Sequence, residues 1–158
     1  MKSEADAHME EAIRLSLEAV RSGRGGPFGC VIVRAGRVIG RGENRVTSAN
    51  DPTAHAEIVA IREACRNAGR FHLEDAALYT SCEPCPMCLA AVYWARIPEV
   101  YYANTRTDAA AIGFGDDFIY GQMPLPPAAR ALKMRPLLRE AAQAAFREWT
   151  AKADRIPY

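Results

Sequence analysis

No stretch of this sequence is apolar for long enough to cross a bilayer, and Met1 leads into a charged segment without an apolar signal run. A cytoplasmic protein with no membrane partner is therefore expected. A surplus of charge is missing as well: 20 Lys and Arg stand against 19 Asp and Glu, a formal net charge of +1. Because the cationic residues are scattered, nothing implies a polyanion as an obligatory partner. Nucleic acid is not expected, and a small neutral substrate fits better. Cysteines are few and odd in number, five in all, with three of them at metal-binding spacing. That pattern argues against a disulfide framework and for free thiols in a reducing compartment. There is no internal repeat and no low-complexity segment, and 158 residues suit one domain with a substantial core.

Two short stretches carry the chemistry: His55-Ala56-Glu57, and Cys82-Glu83-Pro84-Cys85-Pro86-Met87-Cys88 about thirty residues later. A Cys-x-x-Cys pair alone is a weak signal. Joined to an upstream His-x-Glu and preceded by proline, it becomes the signature of zinc deaminases that act on nucleobases. His55, Cys85 and Cys88 supply three protein ligands for Zn²⁺, and a catalytic site leaves the fourth tetrahedral position to water. Two thiolates and a neutral imidazole cancel the charge of the ion, so a nearby base is useful, and Glu57 is that base. Residues two apart on a helix point about 200° from each other. His55 is therefore expected at the very first turn, with the longer Glu57 reaching back toward the same point. Cys85 and Cys88 are i, i+3 neighbours, and Pro84 and Pro86 suit a helix start. A structural zinc site would want a fourth protein ligand, for which Cys82 is the only neighbour. An iron–sulfur run would need a further cysteine downstream, and there is none. Cys82 reads as a strand-end packing residue.

The periodicity predicts an amphipathic helix over 3–22, with Met9, Ile13, Leu17 and Val20 against something apolar. Residues 28–33 and 37–41 read as a hairpin turning at Ala35-Gly36. A polar loop follows, then the His55 helix ending near Gly69, a buried strand over 77–81, the Cys85 helix to about Ala95 and a strand over 100–103. Beyond a short segment at Asp108 and an aromatic and acidic stretch over 113–120, residues 133–138 read as a last strand. Residues 139–152 read as a helix with Ala142, Phe146 and Trp149 toward the body, and 155–158 as an extended tail. Strands alternating with helices after a hairpin imply an α/β fold, a three-layer α/β/α sandwich around a mixed central sheet. Ligand sites in such sheets gather at strand carboxyl ends and helix amino ends, where both metal motifs fall.

By residue type alone, Phe28 suits a core position, Asn44 a turn and Asp116 a solvated or helix-capping acid. The sequence resembles the cytidine deaminase superfamily and, within it, the bacterial guanine deaminase family. The matching residues are Gly25-Gly26-Pro27-Phe28-Gly29, Asn44, the run from Asn50 to Glu57, Tyr79 through Leu89, Tyr93-Trp94-Ala95, Asp108-Ala109-Ala110, Gly113-Phe114, Phe118-Ile119-Tyr120 and Tyr158. The resemblance implies hydrolytic conversion of guanine to xanthine and ammonia by a zinc enzyme, a single domain over 1–158. It implies a domain-swapped homodimer, with about 139–158 carried onto the partner subunit. It assigns proton transfer to Glu57 with assistance from Asp116, and base binding to Phe28, Asn44, Ala56, Trp94 and Tyr158. Gly115 stands where the family pattern carries another acid, so Asp117 competes with Asp116. Glu83, Glu148 and Trp149 have no settled role at this level.

The same signature serves tRNA adenosine deaminases, which flip out an anticodon base. Such a protein should present a basic surface to phosphates, and this chain is nearly neutral. Guanosine, cytosine and amino-triazines are other aminated rings that the motifs permit, and a noncatalytic zinc scaffold is the alternative outside enzymes. Glu57 argues against the scaffold, since a structural site has no need of a non-ligand acid beside the metal.

Overall fold

Ser3 opens the first helix, α1 (Glu4–Arg21), with a reciprocal cap: its hydroxyl accepts from the Asp6 N–H while the Asp6 carboxylate accepts from the Ser3 N–H. The structure, a computed structural model, describes residues 3–158. The helix is where the periodicity places it and Met9 packs on the core as expected, but the rest of the buried stripe is different. Ala12, Leu15, Ser16 and Ala19 face inward, and Ile13, Leu17 and Val20 are exposed. Small side chains let the helix axis lie close over the sheet, which leaves the bulkier residues at the margin of the contact.

The sheet begins as the expected hairpin. Strand β1 (Gly29–Arg34) pairs antiparallel with β2 (Arg37–Glu43) across Ala35 and Gly36, whose φ values of 48° and 72° belong to the hairpin turn that matches strand twist. Strand β3 (Ala76–Cys82) pairs antiparallel with β1 and parallel with β4 (Glu99–Asn104), giving the order β2-β1-β3-β4. Alternation along β1 and β3 sorts side chains between two cores. Cys30, Ile32 and Leu78 meet Ala56, Ala60 and Ala64 of α3 (Ala56–Ala68) and Val92 of α4 (Pro86–Trp94), whereas Val31, Val33 and Tyr79 meet Leu15 of α1. The sheet is mixed and covered on both faces, the expected three layers.

How closely α3 approaches β2 is decided at Gly42. A Cβ there would stand 1.9 Å from the Ala56 carbonyl oxygen, so no other residue fits without moving the helix that starts the site. Gly42→Ala is expected to lower the unfolding free energy by about 1–3 kcal/mol, as overpacking does, read from urea unfolding midpoints at constant m-value.

Helix starts come in two kinds. The short α5 (Arg106–Ala111) carries the same reciprocal cap as α1, built from Thr105 and Asp108. Helices α3 and α4 have His55 and Cys85 at the cap position, and neither side chain makes a capping hydrogen bond. A one-turn helix, α2 (Val46–Ala49), lies in the loop that precedes His55.

The chain divides into two compact units, one ending at Asp116 and one spanning Asp117–Tyr158. The second holds α6 (Asp117–Gln122), a 3₁₀ turn at Pro127–Ala129 and α7 (Arg139–Ala151), and none of its residues is buried. The strand expected over 133–138 does not form. Pro136 has no N–H for a ladder, and Leu138 takes a left-handed conformation with φ of 52° where it opens α7. Ala142, Phe146 and Trp149, expected toward the body, are all exposed. The helical spacing is correct, and the face it defines is uncovered. No helix among the described residues is long and apolar enough to cross a membrane.

Candidate metal and catalytic centre

Both metal motifs sit at helix starts. His55 caps α3 and Cys85 caps α4, each with extended backbone dihedrals, and Cys88 lies one turn into α4. Pro86 is the first helical residue, where a missing N–H removes no hydrogen bond. The Sγ atoms of Cys85 and Cys88 stand 3.5 and 3.6 Å from His55 Nδ1, and the three ligand atoms lie within 4.8 Å of one another. Sulfur at about 2.3 Å and nitrogen at about 2.05 Å from a common centre, at the tetrahedral angle, are about 3.6 Å apart. The two nitrogen–sulfur edges therefore have the length of edges of a zinc tetrahedron, with Nδ1 as the coordinating nitrogen. Cys82 is outside it. That thiol ends β3, is buried and donates to the Thr105 carbonyl at 3.7 Å, and burial with the nearby charges of Glu57, Glu83, Asp108 and Asp116 pushes it up to about 11.

Hydrogen bonds couple the three groups to one another. A hydrogen bond from the Cys88 thiol, helped by one from His55, lowers Cys85 to about 4. The same Cys85 sulfur, together with burial, pushes the Cys88 thiol up. His55 is raised, chiefly by its hydrogen bond to Cys85 and against the effect of burial.

Glu57, the second residue of α3, is buried. Its Oε1 accepts from the Thr80 hydroxyl at 2.9 Å, and the Cys88 thiol donates to the same carboxyl. Burial raises its proton affinity, and the hydrogen bond from Thr80 partly opposes the rise. A carboxyl whose proton affinity is raised in this way holds its proton more readily than a solvated one, the direction that suits a general acid and base. Thr80 is the residue that sequence reasoning missed. Its signal was a fully buried hydroxyl in β3, on the side of the strand that faces α3.

The other expected residues have surroundings of their own. Ala56 is the first residue of α3, buried, with a backbone N–H that has no acceptor inside the helix. Asn44 follows β2, is buried, and its neighbour Arg45 donates from its N–H to the Ala54 carbonyl at 2.9 Å, which sets Asn44 beside the start of α3. The Asn44 N–H donates to the Phe28 carbonyl, and the Phe28 ring meets Phe114 edge-on with centroids 5.0 Å apart. Asp116 is mostly buried and pairs with Arg106 at 3.5 Å, whereas Asp117 is exposed at the start of α6. Glu83 has a structural partner: its carboxylate accepts from the Arg106 N–H at 2.9 Å, at the first residue of α5. Trp94 is exposed at the far end of α4, about 13 Å along the helix axis from Cys85. Tyr158, in the second unit, is exposed.

Known proteins share this arrangement over different lengths. The sequence profile of the cytidine and deoxycytidylate deaminase zinc-binding region matches residues 2–104. Over 153 residues the chain is 46% identical to the guanine deaminase of Bacillus subtilis (strain 168), covering 97% of this chain and 98% of that protein. The X-ray structure of guanine deaminase from Bacillus subtilis superposes with a TM-score of 0.94 at 46% identity, over 100% of this chain and 99% of that one. A guanine deaminase from Nitrosomonas europaea gives a TM-score of 0.67 at 31% identity, over 92% and 84%. Likeness to the tRNA-specific adenosine deaminase of Agrobacterium fabrum is of similar strength, 47%, but runs over only 92 residues, 58% of this chain and 60% of that protein. The chain belongs to the cytidine deaminase superfamily and, within it, to the bacterial guanine deaminase family.

Proposed function

We propose that this chain hydrolyses guanine to xanthine and ammonia, with one zinc ion held by His55, Cys85 and Cys88. The observation that carries the reading is a likeness to a guanine deaminase that runs through the whole chain and not only through the metal motifs. Bound there, zinc supplies a Lewis acid that lowers the pKa of a water molecule. Glu57 takes a proton from the attacking water and delivers protons to the purine ring and to the leaving amine, so C2 exchanges its amino nitrogen for oxygen and ammonia departs. The Thr80 hydroxyl holds the Glu57 carboxyl in place for both transfers. Asn44 hydrogen-bonds the base, Phe28 packs on its ring, and the Ala56 N–H lines the site. The test is ammonia release by the zinc-loaded protein from guanine, guanosine, adenine, cytosine and a tRNA anticodon stem-loop. Guanine is expected to turn over fastest. Release from the stem-loop or cytosine with none from guanine would overturn the proposal.

Asp116 is proposed to contact the polar edge of the base or to assist ammonia departure. Asp116→Asn is expected to lower kcat by about 10–100-fold, less than a loss at Glu57, as suits one assisted proton transfer. Steady-state kinetics of Asp116→Asn and Asp117→Asn decide the assignment, and the role moves to Asp117 if its variant is the more damaged.

The functional unit is proposed to be a dimer in which α7 and the tail cross to the partner. Support comes from the second unit itself: helices with no buried residue and with Phe146, Trp149, Ile156 and Tyr158 exposed need a surface to cover them. Trp94 then reaches a base only across the subunit boundary, and Tyr158 closes the partner's pocket against water. Deleting residues 154–158 is expected to cut guanine turnover by about tenfold or more while zinc content is kept. Mixing tail-deleted subunits with Glu57→Gln subunits is expected to restore part of the activity, because a hybrid dimer contains one site with an intact Glu57 and an intact lid. A tail deletion that turns over normally would leave the tail without a role in the site.

A further inference from the structure

Asn44 uses one end of its side-chain amide internally. Its Oδ1 accepts from the backbone N–H groups of Gly26 and Val46, each at 3.2 Å, and among the described residues nothing accepts from its Nδ2. Those two bonds decide that the amide offers a donor outward. Both are long, and one comes from the Gly25-Gly26 loop, where two glycines give the backbone more freedom than any other pair would. The loop also passes so close that a Cβ on Gly25 would stand 2.2 Å from the Asn44 carbonyl oxygen and 2.4 Å from Oδ1. Something must hold so permissive a backbone in so tight a place.

The residue on either side of this contact supplies the hold. Arg24 precedes the glycines and Glu43 precedes Asn44. The Arg24 guanidinium grips both oxygens of Glu43, Nε to Oε1 at 2.7 Å and Nη2 to Oε2 at 2.9 Å, with Arg45 a further 3.6 Å from Oε1. A planar fork on both carboxylate oxygens fixes orientation as well as distance. The Glu43 side chain is 7% exposed, so this pair is far better shielded from water than an ordinary surface bridge. The Arg24 backbone is tied down too: its N–H donates to the Ala19 carbonyl at the end of α1, and its carbonyl accepts from the Ser48 N–H and the Thr47 hydroxyl of α2.

We propose that Arg24 and Glu43 are positioning residues for base recognition: their forked ion pair presses the Gly25-Gly26 loop onto Asn44 and thereby fixes which end of its amide meets the base. The proposal rests on the reading that Asn44 binds the ring. On the reading that Asn44 meets the ring and not the leaving amine, loss of its contact removes binding common to ground and transition states, and the effect falls on KM.

The experiment compares Arg24→Gln, Arg24→Lys, Glu43→Gln, Asn44→Ala and the double variant Arg24→Gln/Asn44→Ala in the zinc-loaded protein with guanine. Arg24→Gln is expected to raise KM by about tenfold with kcat changed by less than about threefold and zinc content unchanged, an effect of the size that small misplacement produces. Glu43→Gln should match it. Arg24→Lys, which keeps the charge and loses the fork, should recover part of the affinity. In amide hydrogen exchange the Gly26 N–H of Arg24→Gln should exchange about tenfold faster while the amides of β1 and β3 are unchanged, which a general loss of stability would not produce. If Arg24 acts through Asn44, the double variant is no worse than Asn44→Ala alone. Normal KM in Arg24→Gln where Asn44→Ala raises it, or penalties that multiply in the double variant, overturns the positioning role and leaves Asn44 as a base contact. Normal KM in Asn44→Ala overturns the base contact itself, and the positioning role with it. Arg24 is half exposed, so its variants keep the test open even if Glu43→Gln folds poorly.

Discussion

Glu57→Gln is expected to abolish guanine turnover, lowering kcat by about four orders of magnitude or more, while zinc and fold are kept. The size follows from the number of transfers that pass through one carboxyl: each general acid or base step contributes about 10²–10⁴-fold, and the reaction requires protonation of both ring and amine. Glutamine keeps the shape and still accepts from Thr80, so neither the helix start nor the ligand triangle is disturbed. A second readout separates the chemical role from a structural one. Burial raises the proton affinity of Glu57 in the folded state, so it contributes stability that is complete below the unfolded carboxylate pKa and lost as pH rises through the folded one. Zinc-free wild type should therefore lose stability relative to zinc-free Glu57→Gln as pH rises above the ordinary carboxylate range, a difference measured by urea unfolding of both at two pH values. Near-normal deamination by a folded, zinc-loaded Glu57→Gln protein would refute the assignment.

The second large effect is expected at Cys85. Cys85→Ala leaves two protein ligands and removes the group to which His55 and Cys88 are hydrogen-bonded. Zinc content should fall from one per chain to below about a tenth, activity should fall with it, and the melting temperature should drop because binding energy at such a site is also folding energy. Cys82→Ala is the control. Its thiol is occupied with the Thr105 carbonyl, so that variant should keep its zinc and its turnover and show only the modest cost of a buried truncation. Metal analysis and cobalt absorption spectra of the two variants check both expectations. Loss of zinc from Cys82→Ala would mean a four-ligand, closed site.

The metal triangle and Glu57 were legible from spacing because each depends on helix geometry within one motif: an i, i+2 pair that cannot share a face, an i, i+3 pair that does, and prolines that only a helix start accepts. Thr80 was not, because its partner lies 23 residues away and on a different element. The same holds for the pairing of Arg24 with Glu43, 19 residues apart, since strand register and loop path decide which ions meet. Two local readings failed for tertiary reasons. In α1 the periodicity places Met9 correctly against the core, but Ile13, Leu17 and Val20 are exposed because the sheet is met by the neighbouring stripe of Ala12, Leu15, Ser16 and Ala19. Residues 133–138 read as a last strand, but Pro136 and the left-handed Leu138 deny them a ladder. For α7 the period was readable, and what its apolar face packs against is no property of its own sequence.

The cap positions of α3 and α4 have a consequence for how the molecule comes apart. A helix start with Ser, Thr, Asp or Asn at that position is steadied by about 1 kcal/mol, and α1 and α5 have such caps of their own. His55 and Cys85 forgo this, so the first turns of α3 and α4 are held by what the two side chains bind jointly. The ligand set is thus a rivet through two helices that would each fray without it. On chelation, hydrogen exchange should quicken at the beginnings of α3 and α4 in concert, with α1 still closed, so that the first structure lost is the pair of turns that the chemistry requires.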